Sequence, residues 1–173
     1  MGFFDFLLKR GNEQSQKKRS KPHYTIRETV TSARYSNASD KVVFDAWTSG
    51  DLKQMLDAVD LKVNLIDRHH LLQCIVSETY RQRKDDVMRQ KCIEISKIHI
   101  AEFPQIAQTL RREHKTLPHI STFQHYATVL TENGNYDEAI SVCNTALGYE
   151  LHDGTQSGFE GRIERIKKKA QRA

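Results

Sequence analysis

Residues 121–151, STFQHYATVLTENGNYDEAISVCNTALGYEL, constrain the fold more than any other stretch, because helical period, helix-end chemistry and turn residues agree there. Ser121 and Gln124 stand three apart, the spacing at which a capping box satisfies two orphan amides at a helix start. Phe123, Tyr126, Ala127 and Leu130 then recur on one face of a helix. Asn133-Gly134-Asn135 stops it, since these residues tolerate the left-handed backbone that closes a helix. After Tyr136, Asp137 and Glu138 place negative charge in the first turn of a second helix, where the dipole favours it. Ala139, Ile140, Cys143, Ala146 and Leu147 form the apolar face of that helix. Ala127 and Ala139 fall where two antiparallel helices approach, and a bulky side chain at either would push them apart. The stretch predicts a helical hairpin.

The order of an aromatic, a small residue, Gly-x-Tyr and then Ala, carried by Phe123, Tyr126, Ala127, Leu130, Gly134, Tyr136, Ala139, Cys143 and Ala146, resembles the tetratricopeptide repeat (TPR) over about one repeat length. The stretch has Phe123 for the usual tryptophan, Leu130 for tyrosine and Leu151 for the closing proline. The resemblance implies an all-α fold, a right-handed α-solenoid of antiparallel helix pairs, acting in protein–protein contact. It implies a groove lined by first-helix residues, here Gln124, Thr128, Thr131 and Glu132, and another protein or peptide as partner. That family's clamp for a C-terminal carboxylate uses lysine, arginine and asparagine there, which this repeat lacks. Arg81, Arg83 and Arg111 are the earlier residues able to bring charge to such a groove.

The preceding chain fits further helix pairs. Ser39-Asp40 can cap a helix with Val42, Val43, Ala46 and Trp47, ended by Thr48-Ser49-Gly50, and Asp51 opens another with Leu52, Met55, Leu56 and Val59. Asp67 is the expected cap of a longer helix carrying Leu71, Leu72, Ile75, Val76 and Tyr80, ending in the polar run 81–86. The next carries Val87, Met88, Cys92, Ile95, Ile98 and Phe103, with Ile93 and Ile100 widening its apolar face enough for contact on two sides. Phe103-Pro104 is expected to end it, with Ile106, Ala107 and Leu110 on a separate short helix before Pro118. Beyond the turn His152-Asp153-Gly154, a final helix with Phe159, Ile163 and Ile166 on one side and Arg and Lys on the others reads as a cap that shields the last repeat, the alternative being that Arg162 to Arg172 also engages an acidic partner, nucleic acid or lipid. The helical domain is placed at 40–173, after an undefined lead-in at 23–39 and a disordered arm at 1–22.

Charge divides along the chain. Residues 1–21 hold six basic residues against Asp5 and Glu13, residues 162–173 hold six against Glu164, and the stretch between is acidic overall. A basic pI that belongs to two ends is poor support for a nucleic-acid reader, which carries its basic stripe on the folded face. In the arm, Phe3, Phe4, Phe6, Leu7 and Leu8 precede Lys17, Lys18 and Arg19. This pattern suits an interfacial membrane anchor on anionic lipid, an arm that docks in a groove, or a frayed terminus. Phe6 stands where a myristoylation signal wants Ser or Thr. No apolar run approaches the ~20 residues needed to span a bilayer. Three cysteines, each in an apolar helical pattern, suggest reduced thiols and a cytoplasmic protein, at most peripheral to the inner face of a membrane.

The search for chemistry gives little. None of the eight histidines stands four residues from another, so the helical zinc pair is missing, and partly exposed rings are expected. His69 and His70 are expected to point apart. No Cys-x-x-Cys, Gly-rich phosphate loop or Gly-x-Ser-x-Gly occurs, so neither cofactor nor metal is expected. An enzyme would have to assemble its site from distant residues, for instance His119 or His125 near a carboxylate. The expected function is a non-catalytic interaction module or adaptor, with self-association left open.

Overall fold

The computed structural model describes residues 38–173 apart from Lys115. The described residues are all-helical: α1 (Ala38–Ser49), α2 (Leu52–Asp57), α3 (Leu65–Arg81), α4 (Asp86–Glu113), α5 (Ser121–Glu132), α6 (Tyr136–Gly148) and α7 (Gly158–Ala170). No described helix is long and apolar enough to cross a membrane. The arm 1–22 and most of the lead-in, with Phe3, Phe4, Phe6, Leu7, Leu8, Lys17, Lys18 and Arg19, lie outside the described residues.

Side-chain links fix how the helices run. Between α1 and α3, Asp40 accepts from the Asn64 N–H at 3.2 Å, while Trp47 donates from Nε1 to Asp67 at 3.3 Å and stacks on His70. From α3 to α5, the Ser121 N–H donates to Gln73 at 3.2 Å, Tyr80 stacks on His125, and Arg83 grips Glu132. Lower residues meet lower residues in each case, so α1 runs parallel to α3, and α3 parallel to α5. Arg162 to Thr128 and Lys169 to the Thr131 carbonyl align α7 with α5 in the same sense. Helices α4 and α6 run back. Arg68 meets Glu102 and Val76 meets Cys92 between α3 and α4, and the Tyr126 hydroxyl donates to Glu138 at 2.5 Å between α5 and α6.

The hairpin of α5 and α6 forms where its apolar spacing placed it. Phe123, Tyr126, Ala127 and Leu130 are buried against Ala139, Cys143 and Ala146, and Gly134 takes φ 81° in the turn. Its expected capping box does not form. Ile120 is the N-cap residue, without a side-chain bond, and Ser121 is the first helical residue. Gln73 of α3 takes the Ser121 amide, so a neighbouring helix supplies the acceptor that a local cap would have supplied.

Three more boundaries differ from expectation. Asn64, not Asp67, caps α3, accepting from the Ile66 and Asp67 backbone amides; Asp67 lies one turn in and accepts from the Asn64 side-chain Nδ2 and the Trp47 indole. Asp40 likewise lies buried inside α1 instead of capping it. The third concerns Pro104. Helix α4 passes through it without ending, and Ile106, Ala107 and Leu110 continue the same helix. A proline inside a helix costs about 3 kcal/mol. Against that, Cys92, Ile95, Ser96, His99, Phe103, Ile106, Ala107 and Leu110 are buried at unbroken helical spacing, so apolar burial on both sides of the proline holds one phase.

The interior has two apolar groups. One joins Val43, Ala46, Met55, Leu71, Leu72, Ile75 and Val76 to Cys92 and Ile95. The other joins Phe103, Ile106 and Leu110 of α4 to α5, α6 and the buried Phe159, Ile163 and Ile166 of α7. Helix α4 contributes to both, in keeping with its wide apolar stripe.

Candidate functional site

The parallel odd-numbered helices present a polar face on which three of them meet. Helix α3 brings Gln73, Ser77, Tyr80 and Arg81 to it, α5 brings Ser121, Gln124, His125 and Thr128, and α7 brings Arg162. Tyr80 and His125 stack at 4.0 Å with their planes 14° apart, and the Arg83 guanidinium lies 4.1 Å from the Tyr80 ring centre, a cation–π contact. The half-buried His125 keeps Nδ1 buried without a hydrogen-bond partner. Burial, together with the positive charges of His119, Arg162, Arg81 and Arg83, lowers its pKa to about 4. His125 is therefore neutral at pH 7, beside the guanidinium groups of Arg81, Arg83 and Arg162.

The four residues expected to line a groove are in different situations. Gln124 is half-buried on this face. Thr128 accepts from Arg162 at 3.0 Å while its hydroxyl donates to the Gln124 carbonyl. The Thr131 hydroxyl turns back to the Ala127 carbonyl at 2.6 Å. Glu132 is held by the fork of Arg83 at 3.0 Å. Thr128, Thr131 and Glu132 are thus engaged within the fold, Thr128 by Arg162 of α7, Thr131 by its own helix and Glu132 by Arg83 of the turn after α3. Arg81 pairs with Glu78 of its own helix, and Arg111 reaches the Tyr149 carbonyl at 3.4 Å.

Behind this face runs a buried polar chain absent from the sequence reading. His69 Nδ1 and His99 Nε2 stand 2.9 Å apart, and His99 Nδ1 is 2.7 Å from the Thr122 hydroxyl. All three are essentially inaccessible to water. A neutral His99 donates at one nitrogen and accepts at the other, so the chain is satisfied without charge. Burial, aided by His70, lowers the His69 pKa to about 4; burial, with His69, Arg68 and His70, holds His99 well below its usual value. Two histidines expected to be partly exposed are interior. His69 and His70 do not point apart either, since their rings lie 5.1 Å from each other. Among the described residues no group of three His, Cys, Asp or Glu could hold a metal ion.

Arg162 anchors α7 through a buried ion pair. It donates from Nε to Asp153 at 2.9 Å, and the Asp153 side chain is fully buried. Burial pushes the Asp153 pKa up, but the Thr155 hydrogen bonds and the Arg162 guanidinium outweigh this and leave it below the ordinary carboxylate range. The thiols of Cys92 and Cys143 are buried and that of Cys74 is half-buried; burial raises all three pKa values, Cys143 to about 11, so none is primed as a nucleophile. Comparison of the chain with protein-family models, with curated proteins and with solved structures found no match.

Proposed function

We propose that this chain is a non-catalytic protein–protein interaction module or adaptor of the cytoplasm, built as a right-handed TPR-like α-solenoid. The observation that carries the reading is the series of parallel links from α1 through α3 and α5 to α7, along which α3, α5 and α7 share one polar face. Stacked helix pairs of this kind offer an extended, largely preformed surface to a partner protein or peptide. The buried His69, His99 and Thr122 satisfy one another, which favours a structural role over acid–base work. A photo-crosslinking residue at Gln124, compared with one at the exposed Ser141 of α6, tests the reading in the native cell. A partner captured at 124 and not at 141 supports it; equal capture at both positions overturns it.

A second reading is a peripheral membrane protein, favoured by Phe3, Phe4, Phe6, Leu7 and Leu8 standing ahead of a basic tract. It predicts that the intact chain co-sediments with anionic vesicles while a chain beginning at His23 does not. Equal sedimentation of the two removes it.

A further inference from the structure

Charge on the described part of the chain is segregated. Residues 38–157 hold seventeen acidic and thirteen basic side chains, whereas 158–173 hold six basic ones against Glu160 and Glu164. A helix that only closes a stack needs a polar outer face, and mixed charges would serve. Helix α7 instead carries Arg165, Lys168 and Lys169, with Arg172 in the turn just beyond its end, at i, i+3, i+4 and i+7, on sides away from the buried Phe159, Ile163 and Ile166. Like charges at this spacing repel one another. Arg165 donates to the Ser157 hydroxyl and Lys169 to a backbone carbonyl, while Lys168 and Arg172 are exposed. By contrast, Arg81, Arg83 and Arg162 each hold a carboxylate of the fold. The stripe adjoins the α5 side of α7 and continues from the guanidinium groups beside His125.

We infer that the odd-helix face receives an acidic, extended segment of a partner protein, whose carboxylates pair with Arg165, Lys168, Lys169 and Arg172 and whose chain runs on past the Tyr80–His125 stack. The inference rests on the reading of this face as an interaction surface. A lipid surface fits less well, because the apolar residues of α7 are already buried in the core. A long nucleic acid also fits less well, because the stripe spans only about 10 Å of helix.

The test is a titration of the full-length ¹⁵N-labelled chain with a twelve-residue peptide of alternating Glu and Gly, and with its Gln counterpart, followed by amide shifts. Shifts on α3, α5 and α7, at least about tenfold tighter for the Glu peptide, are expected, as four exposed charge pairs would give. Lys168→Glu with Arg172→Glu, both at exposed positions, should abolish the difference, and His125→Gln should reduce the shifts on α3 and α5. Equal affinity for both peptides on this face overturns the acidic preference while sparing the interaction surface. Shifts confined to α7 and unchanged by His125→Gln overturn the proposed path across the face. No shift with either peptide overturns both the inference and the reading beneath it.

Discussion

His99 uses both ring nitrogens inside the protein, and that makes its protonation a property of the whole interior. A histidine with a lowered folded pKa contributes nothing to the pH dependence of stability above the unfolded value of about 6.5, where both states are neutral. Below it the unfolded chain takes up protons that the folded chain refuses, so stability falls as pH falls. For His69 and His125 the loss runs from about 6.5 down to about 4, and for His99 it continues lower. Between pH 7 and 5 this amounts to about 2 kcal/mol for each fully shifted histidine, and less for the half-exposed His125. Urea denaturation across that range checks it, and a flat profile would mean the His69–His99 pair accepts a proton readily. These residues were partly legible. His69 precedes Leu72 and Val76 at helical spacing, and His99 follows Cys92, Ile95 and Ser96 on the buried stripe of α4. Phase alone thus marks them as interior, but their meeting across thirty residues is a tertiary fact that no local pattern carries.

At the scale of elements, the hairpin of α5 and α6 tests the packing argument. Ala139 is fully buried against α5, and Ala139→Leu should cost about 1–3 kcal/mol through overpacking. Unchanged thermal stability would show that the helices separate freely there. Pro104 allows the opposite test, being exposed in the middle of α4. Pro104→Ala should restore a helical amide and gain about 1–2 kcal/mol, the ~3 kcal/mol proline penalty being offset in part by unfolded-chain entropy. A fall in melting temperature would mean that the proline shapes α4 usefully. The hairpin was readable because apolar spacing, Gly134 and the acidic first turn are all local. The ends of α3, α4 and α5 were not, because burial around Pro104 and the reach of Gln73 to Ser121 outweigh local stop and start signals. The partners of the expected groove residues were not legible for the same reason: Arg83 of the turn after α3 and Arg162 of α7 come from distant sequence to hold Glu132 and Thr128.

Across the whole molecule the two ends differ in support. Helix α3 packs on α1, α2, α4 and α5, whereas α2 has six residues and packs only on α1 and α3. Local opening follows local burial, so amides of α1 and α2 should exchange with solvent faster than those of α3–α6. Uniform protection would mean that all seven helices open as one unit.

The bonds between odd helices have a mechanical consequence. Because Gln73–Ser121, Arg83–Glu132 and Arg162–Thr128 join helices that run the same way, a pull along the helix axes strains the links of one junction together instead of peeling them one at a time. Sliding α5 along α3 requires the Ser121 bond, the Tyr80–His125 stack and the Arg83 fork to break at once. The polar face therefore resists shear along its helices and yields first to forces that pull neighbouring helices away from each other.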